Sequence, residues 1–225
     1  LDRNFELDVA AIMSSVNQKT KVIFVCSPNN PTGNAIPQSQ IKSLLDQFSG
    51  LVVVDEAYTD FSKVASAIEL MNDYPRLMVC QTFSKAYGLA GIRLGIGFAK
   101  PEIIDFFNKI KPPYNVNILS QRKALESLND PTIVRQQVHE LVGERQKMEK
   151  ELSALEFVKK IFHSDANFLL IGLDDAKKRY DQFLERGIVV RNRSSLLGCE
   201  NTLRVTVGTP QENITFINIC KTIDK

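Results

Sequence analysis

KVIFVCSPNNPTGNAIPQSQIKSLLDQFSGLVVVDEAY, residues 21–58, decides the fold. Two apolar runs bracket it, Lys21–Cys26 and Leu51–Tyr58, the second apolar up to its acidic end. Between them lies Ile36–Ser49. Pro37 opens that stretch, and Ile41, Leu44, Leu45 and Phe48 recur at helical spacing. Strand, helix, strand in this order predicts an α/β layer with a mostly parallel sheet. Two further β-rich runs extend it, RLMVCQTFS (Arg76–Ser84) and RLGIGFA (Arg93–Ala99). Continuous rather than alternating apolar runs suit strands covered on both faces.

Beyond Pro112 and Pro113 the pattern changes. A long helix is predicted from about Thr132 to Leu155, with Val134, Val138, Leu141, Met148, Leu152 and Leu155 on one stripe. That stripe reads as ordinary packing. Short strands follow near 167–172, 187–191 and 202–207, and a helix near 212–223 closes the chain. The expected division is residues 1–117 as part of a large α/β domain and 118–225 as a small α+β domain carrying the long helix. No internal repeat, low-complexity segment or flexible linker interrupts it.

Composition narrows the function classes. Of 225 residues, 44% are hydrophobic and 24% charged, the balance of a globular protein with a sizeable core. The net charge is +2 and the basic residues gather into no stripe, so no nucleic-acid surface is expected. No apolar run approaches the roughly 20 residues that span a bilayer. LDRNFELDVAA (1–11) has no apolar block of the signal-peptide kind. Cys26, Cys80, Cys199 and Cys220 are far apart and form no C-x-x-C pair, which speaks against zinc and against a disulfide framework. His139 and His163 lack metal-ligand spacing to another candidate. A cytoplasmic protein without a metal site is expected.

Polar residues cluster just past the apolar runs, the edge at which open parallel sheets bind ligands. The first run enters SPNNPTGN (27–34); the second ends in Asp55, with Tyr58 three residues on; the third ends in Thr82, Phe83, Ser84 and Lys85. Arg93 stands eight residues after Lys85, behind Gly-Leu-Ala-Gly. A buried Asp55 needs a cationic partner, and a pyridinium nitrogen is one. Tyr58 and the Asn30 amide can hydrogen-bond a phenolate oxygen on the same ring. Lys85 offers an amine that burial or a neighbouring cation makes nucleophilic. Thr82, Ser84 and Arg93 offer the hydroxyls and guanidinium that a phosphate accepts. Together these describe a pyridoxal-phosphate pocket.

Each piece alone has a plainer reading. SPNNPTGN is also a good turn. Asp55-Glu56 also reads as a solvated strand end, and Lys85 as a surface lysine. The glycines at 88, 91, 95 and 97 match neither dinucleotide nor P-loop spacing, and no Gly-x-Ser-x-Gly surrounds Ser84. The plain readings would have to hold at every strand end at once to remove the site.

SPNNPTG, then VVVDEAY, then TFSKAYGLAGIRLG, in this order, resemble the class I/II pyridoxal-phosphate-dependent aminotransferases of fold type I. The resemblance implies that Lys85 holds the cofactor covalently and is catalytic. Asp55 pairs with the pyridine nitrogen, and Tyr58 and Asn30 contact the ring oxygen. Ser84 and Arg93, with Thr82 a weaker candidate, hold the phosphate. Within the family, PPYNVN (112–117), GIVVRNR (187–193) and LRVTVGTPQEN (203–213) look most like the histidinol-phosphate aminotransferases. That likeness assigns Arg204 to the anionic end of the substrate and Arg191 to the substrate phosphate or a glutamate side chain. Arg193 reads as a surface residue. Alternation along a strand sends Arg204 away from Leu203, Val205 and Val207.

The implied reaction interconverts histidinol phosphate plus 2-oxoglutarate with imidazole acetol phosphate plus glutamate, in histidine biosynthesis. Related fold-type I enzymes, a threonine-phosphate decarboxylase or an aromatic aminotransferase, would share the Lys85 core and differ in the substrate pocket. A non-enzymatic structural module is the other class. Family members carry a long segment ahead of the position of Leu1, so a C-terminal portion of such an enzyme is expected, homodimeric at full length.

Overall fold

The computed structural model describes residues 1–2 and 4–224. They form two units, one of Leu1–Asn29 with Ala35–Gln136, the other of Asn30–Asn34 with Gln137–Lys225.

The first unit is built on the β-α-β segment. After a short helix α1 (Val9–Ser15), β1 (Val22–Cys26) leads through α2 (Gln38–Gln47) into β2 (Leu51–Asp55), and β3 (Leu77–Thr82) and β4 (Gly95–Phe98) follow. The sheet order is β1-β2-β3-β4. β1, β2 and β3 are parallel, in register from Val22↔Leu51 to Cys26↔Asp55 and from Val52↔Leu77 to Asp55↔Cys80. β4 turns back antiparallel to β3. A mostly parallel sheet is what the strand-helix-strand order of the sequence predicts.

α2 forms because Ile41, Leu44 and Leu45 fall on one face and are buried there. That face, with Phe48, Ala67 and Leu70, packs on Val25, Val52, Val54, Leu77 and Val79. Burying each such aliphatic side chain stabilises the unit by roughly 1.5–3 kcal/mol. The opposite face of the sheet behaves differently. β2 is buried on both sides at Val52, Val53 and Val54. In β1, however, Val22, Phe24 and Cys26 are exposed, Phe24 by 72%. Covering on both faces, expected of every strand, therefore holds in the middle of the sheet and fails at β1.

Three helices follow. α3 (Pro101–Ile110) starts on a proline at its first turn and buries none of its residues. α4 (Ile118–Asn129) is capped by Asn117, whose side chain accepts from Ser120 N. α5 (Pro131–Leu152) is the predicted long helix; Met148 and Leu152 are buried on it, while Val134, Val138 and Leu141 are half-buried.

In the second unit β5 (Val158–Ile161), β6 (Phe168–Leu173), β7 (Arg191–Asn192) and β8 (Thr202–Thr206) form an antiparallel sheet in the order β5-β6-β8-β7. α6 (Ala176–Glu185) and α7 (Pro210–Ile223) cover one face. Leu169, Ile171, Leu203 and Val205 meet Met148, Leu152, Phe183, Phe216, Ile217 and Cys220 there. Phe183 and Phe216 lie 5.3 Å apart between ring centroids. α7 begins with a capping box, Thr209 with Glu212. Among the described residues no helix is long and apolar enough to cross a membrane.

Candidate active site

In the first unit the polar residues sit where parallel strands end. Asp55 is the last residue of β2, half-buried, with Oδ1 accepting from Ala57 N at 3.0 Å. It forms no ion pair among the described residues. On the same face, in register on either side, stand Cys26 and Cys80. Burial first, and the Asp55 charge second, push the half-buried Cys80 thiol up from its ordinary pKa. Tyr58 is buried one turn on, and Lys85 Nζ lies 5.2 Å from the centroid of its ring. The amine and the phenol predicted to serve one ligand are thus neighbours.

The loop between β3 and β4 carries the remaining donors. Phe83 N donates to Leu94 O at 3.3 Å and Leu89 N to Phe83 O at 2.9 Å, which folds 83–94 back on itself. Gly88 has φ +65 in that fold, a conformation glycine adopts at little cost. Thr82 Oγ1 donates to Ser84 Oγ at 3.0 Å and accepts from Ser84 N at 3.0 Å. The register Thr82↔Gly95 brings these hydroxyls to the strand end beside Arg93. Arg93 is exposed, and its Nη1 donates to Ala90 O at 2.9 Å. Among the described residues neither Lys85 nor Arg93 forms an ion pair. A carboxylate, an amine and a guanidinium that neutralise no partner are the charges an anionic, nitrogen-containing ring would balance. These residues therefore fit pyridoxal phosphate.

The second unit holds the other predicted residues. Leu203, Val205 and Val207 are buried, and Arg204 lies on the opposite face, as alternation requires. Its guanidinium stacks 4.9 Å from the Phe168 ring centroid, and Nη1 donates to Asn30 Oδ1 at 2.7 Å. With that oxygen engaged, the group Asn30 presents to a ligand is its NH2. Arg191 begins β7, exposed, directly opposite Arg204 in the antiparallel pair. Two guanidiniums on one face suit a substrate with two anionic ends.

Two features escape the sequence. Glu56, for which a solvated strand end was the plainer reading, is 4% exposed and accepts hydrogen bonds at both carboxylate oxygens. Gly33 has φ +88, and a Cβ there would meet Ser164 Oγ at 2.6 Å. The close approach is fixed by Asp165 N donating to Gly33 O at 2.7 Å. The motif SPNNPTGN signals a turn but not what the turn lies against.

A parallel sheet with a strand-end carboxylate, a lysine beside a phenol and a hydroxyl-rich loop before an arginine defines a class. The chain belongs to the aminotransferase class I and II family, whose model matches residues 2–218. It is 52% identical over 224 residues to a histidinol-phosphate aminotransferase of Christiangramia forsetii, covering 100% of this chain and 64% of that protein. A histidinol-phosphate aminotransferase of Flavobacterium psychrophilum is 49% identical over 223 residues, again with 64% of its length covered. Among solved structures, the histidinol-phosphate aminotransferase from Clostridium acetobutylicum superposes with a TM-score of 0.92 at 25% identity, over 100% of this chain and 69% of that one. The chain thus spans about 64% of the length of the curated relatives it matches.

Proposed function

We propose that the chain carries the core of a pyridoxal-phosphate-dependent aminotransferase that converts histidinol phosphate and 2-oxoglutarate to imidazole acetol phosphate and glutamate. The observation that carries this reading is the Lys85 amine lying against the Tyr58 ring. Its support from relatives is the 52% identity to a histidinol-phosphate aminotransferase.

When bound, pyridoxal phosphate supplies an aldehyde that exchanges amino groups and a protonated ring that takes up the electron pair of the substrate α-carbon. The protein residues do the rest. Asp55 holds the proton on the ring nitrogen. Tyr58 donates its phenol hydrogen, and Asn30 its amide hydrogen, to the ring oxygen. Thr82, Ser84 and Arg93 bind the phosphate. Lys85 Nζ would hold the cofactor through its aldehyde and, when free, would act as the base that takes up and returns the proton at the substrate α-carbon. Arg204 binds the anionic end of the substrate. Arg191 binds the phosphate of histidinol phosphate or, in the second half-reaction, the side-chain carboxylate of glutamate. Two half-reactions on one cofactor give ping-pong kinetics. The working form is a cytoplasmic homodimer.

Adding pyridoxal phosphate should produce a visible absorption band that Lys85→Ala abolishes. Turnover should be faster with histidinol phosphate than with threonine phosphate or an aromatic amino acid. A band that survives in Lys85→Ala would sink the cofactor assignment, and a reversed substrate order the substrate assignment.

A further inference from the structure

Glu56 follows the strand-end carboxylate directly, yet its surroundings are unlike those of a surface acid. Alternation sends Asp55 and Glu56 to opposite sides of the end of β2. Glu56 is 4% exposed. Its Oε2 accepts from Ser66 Oγ at 2.6 Å and Gln81 Nε2 at 2.9 Å, and its Oε1 from Ala67 N at 2.6 Å. A buried carboxylate is costly unless its oxygens are hydrogen-bonded. Among the described residues it forms no ion pair, so three neutral donors compensate that cost.

Those donors come from two places. Gln81 belongs to β3, next to β2 in the sheet. Ser66 and Ala67 belong to the segment after the turn that carries Tyr58. Ser66 O in turn accepts from Gln38 Nε2, on α2, at 2.9 Å. The backbone of Glu56 is pinned as well, its N–H donating to Cys80 O at 2.8 Å and its carbonyl accepting from Thr59 N at 3.1 Å. Residue 56 therefore ties the end of β2 to β3 and to the 66–67 segment, between Asp55 on one side and Tyr58 on the other. Asp60, further along the same turn, has its carboxyl pushed up mainly by burial, and the Glu56 charge adds to this.

We propose that Glu56 is a positioning residue whose clamp on Gln81, Ser66 and Ala67 holds Asp55 and Tyr58 in place for the cofactor ring. It touches neither cofactor nor substrate. The inference rests on the roles assigned above to Asp55 and Tyr58.

The test uses the native protein. Glu56→Gln keeps the shape but turns one acceptor oxygen into an NH2 that faces a donor. Titration with pyridoxal phosphate should show roughly ten-fold weaker binding, the scale of one charge-assisted hydrogen bond. Visible circular dichroism of the bound cofactor, which reports a fixed ring orientation, should fall with it. Glu56→Asp, with the charge kept and the reach shortened, should recover part of both signals; a residue that merely stabilised the fold would leave the visible spectrum of the bound form unchanged. Gln81→Leu removes one donor and leaves the carboxylate, so it carries the test if Glu56→Gln does not fold. Roughly three-fold weaker binding is expected there. Wild-type affinity and visible dichroism in the variants that fold would overturn the inference while leaving the site assignment standing. A wild-type protein that takes up no pyridoxal phosphate would reject the site assignment and the inference with it.

Discussion

β6 is buried at five of its six positions, whereas the almost wholly apolar β1 leaves Phe24 72% exposed. Both runs read alike in sequence. The difference lies in what surrounds them. Around β6, helices α5, α6 and α7 supply Met148, Leu152, Phe183, Phe216 and Ile217. Around β1, α1 and α2 supply cover on one face. An apolar run specifies a strand; how many of its faces are covered depends on elements elsewhere in the chain. The chemistry divides along the same line. Apart from Asn30, which belongs to the second unit, the residues assigned to the cofactor stand at the end of the less enclosed sheet, and the two arginines assigned to the substrate stand on the enclosed one.

That contrast can be broken in four ways. The largest effect is expected at Lys85, which is assigned to the chemistry and lies outside the core. Lys85→Ala should lower amino-group transfer by at least about 10³-fold while the far-ultraviolet spectrum stays unchanged. A variant keeping a tenth of the wild-type rate would remove the amine from the mechanism. Next come the two cores. Phe183→Ala should cost about 3–5 kcal/mol in denaturant unfolding, and Phe24→Ser within about 0.5 kcal/mol. Equal costs would erase the distinction between the sheets.

A smaller effect is expected at Asp174. The Arg179 guanidinium, 2.7 Å away, holds its carboxyl down at about 2 from an ordinary 3.8. A folded-state value below the unfolded one stabilises above pH 4 or so, and the gain disappears as pH falls through 2. Because the Asp174 side chain is 34% exposed, solvent screening cuts the contribution. Asp174→Asn should therefore cost only about 1 kcal/mol at pH 7. At pH 2 it should cost almost nothing, and a penalty that persisted there would assign the pair a packing role. Last is Cys220, whose thiol burial pushes up to about 12. Iodoacetamide at pH 8 should leave it unmodified until the second unit unfolds, and labelling in the native state would show that α7 opens.

Much of this was legible in the sequence, for identifiable reasons. β2, β3 and α2 were readable because Val52–Val54 and Leu77–Val79 are continuous and Ile41, Leu44 and Leu45 keep helical spacing. The direction of Arg204 was readable because strand alternation is strict. β5 was not readable, since Lys159 and Lys160 interrupt its apolar run. α6 was obscured by its many charged residues, and the strand expected over 187–191 shrinks to the two residues of β7. Glu56 was given no role because an acid at a strand end is normally solvated. Its burial depends on Ser66, Ala67 and Gln81, ten to twenty-five residues away.

The five residues Asn30–Asn34 give the second unit a discontinuous make-up. They arrive from a loop more than a hundred positions upstream of Gln137, and both Arg204 and Asp165 bond to them. No single cut can excise that unit intact. A recombinant piece starting at Gln137 would leave the Asp165 amide and the Arg204 guanidinium without those acceptors, whereas a circular permutant or a grafted linker carrying all of Asn30–Asn34 would restore them.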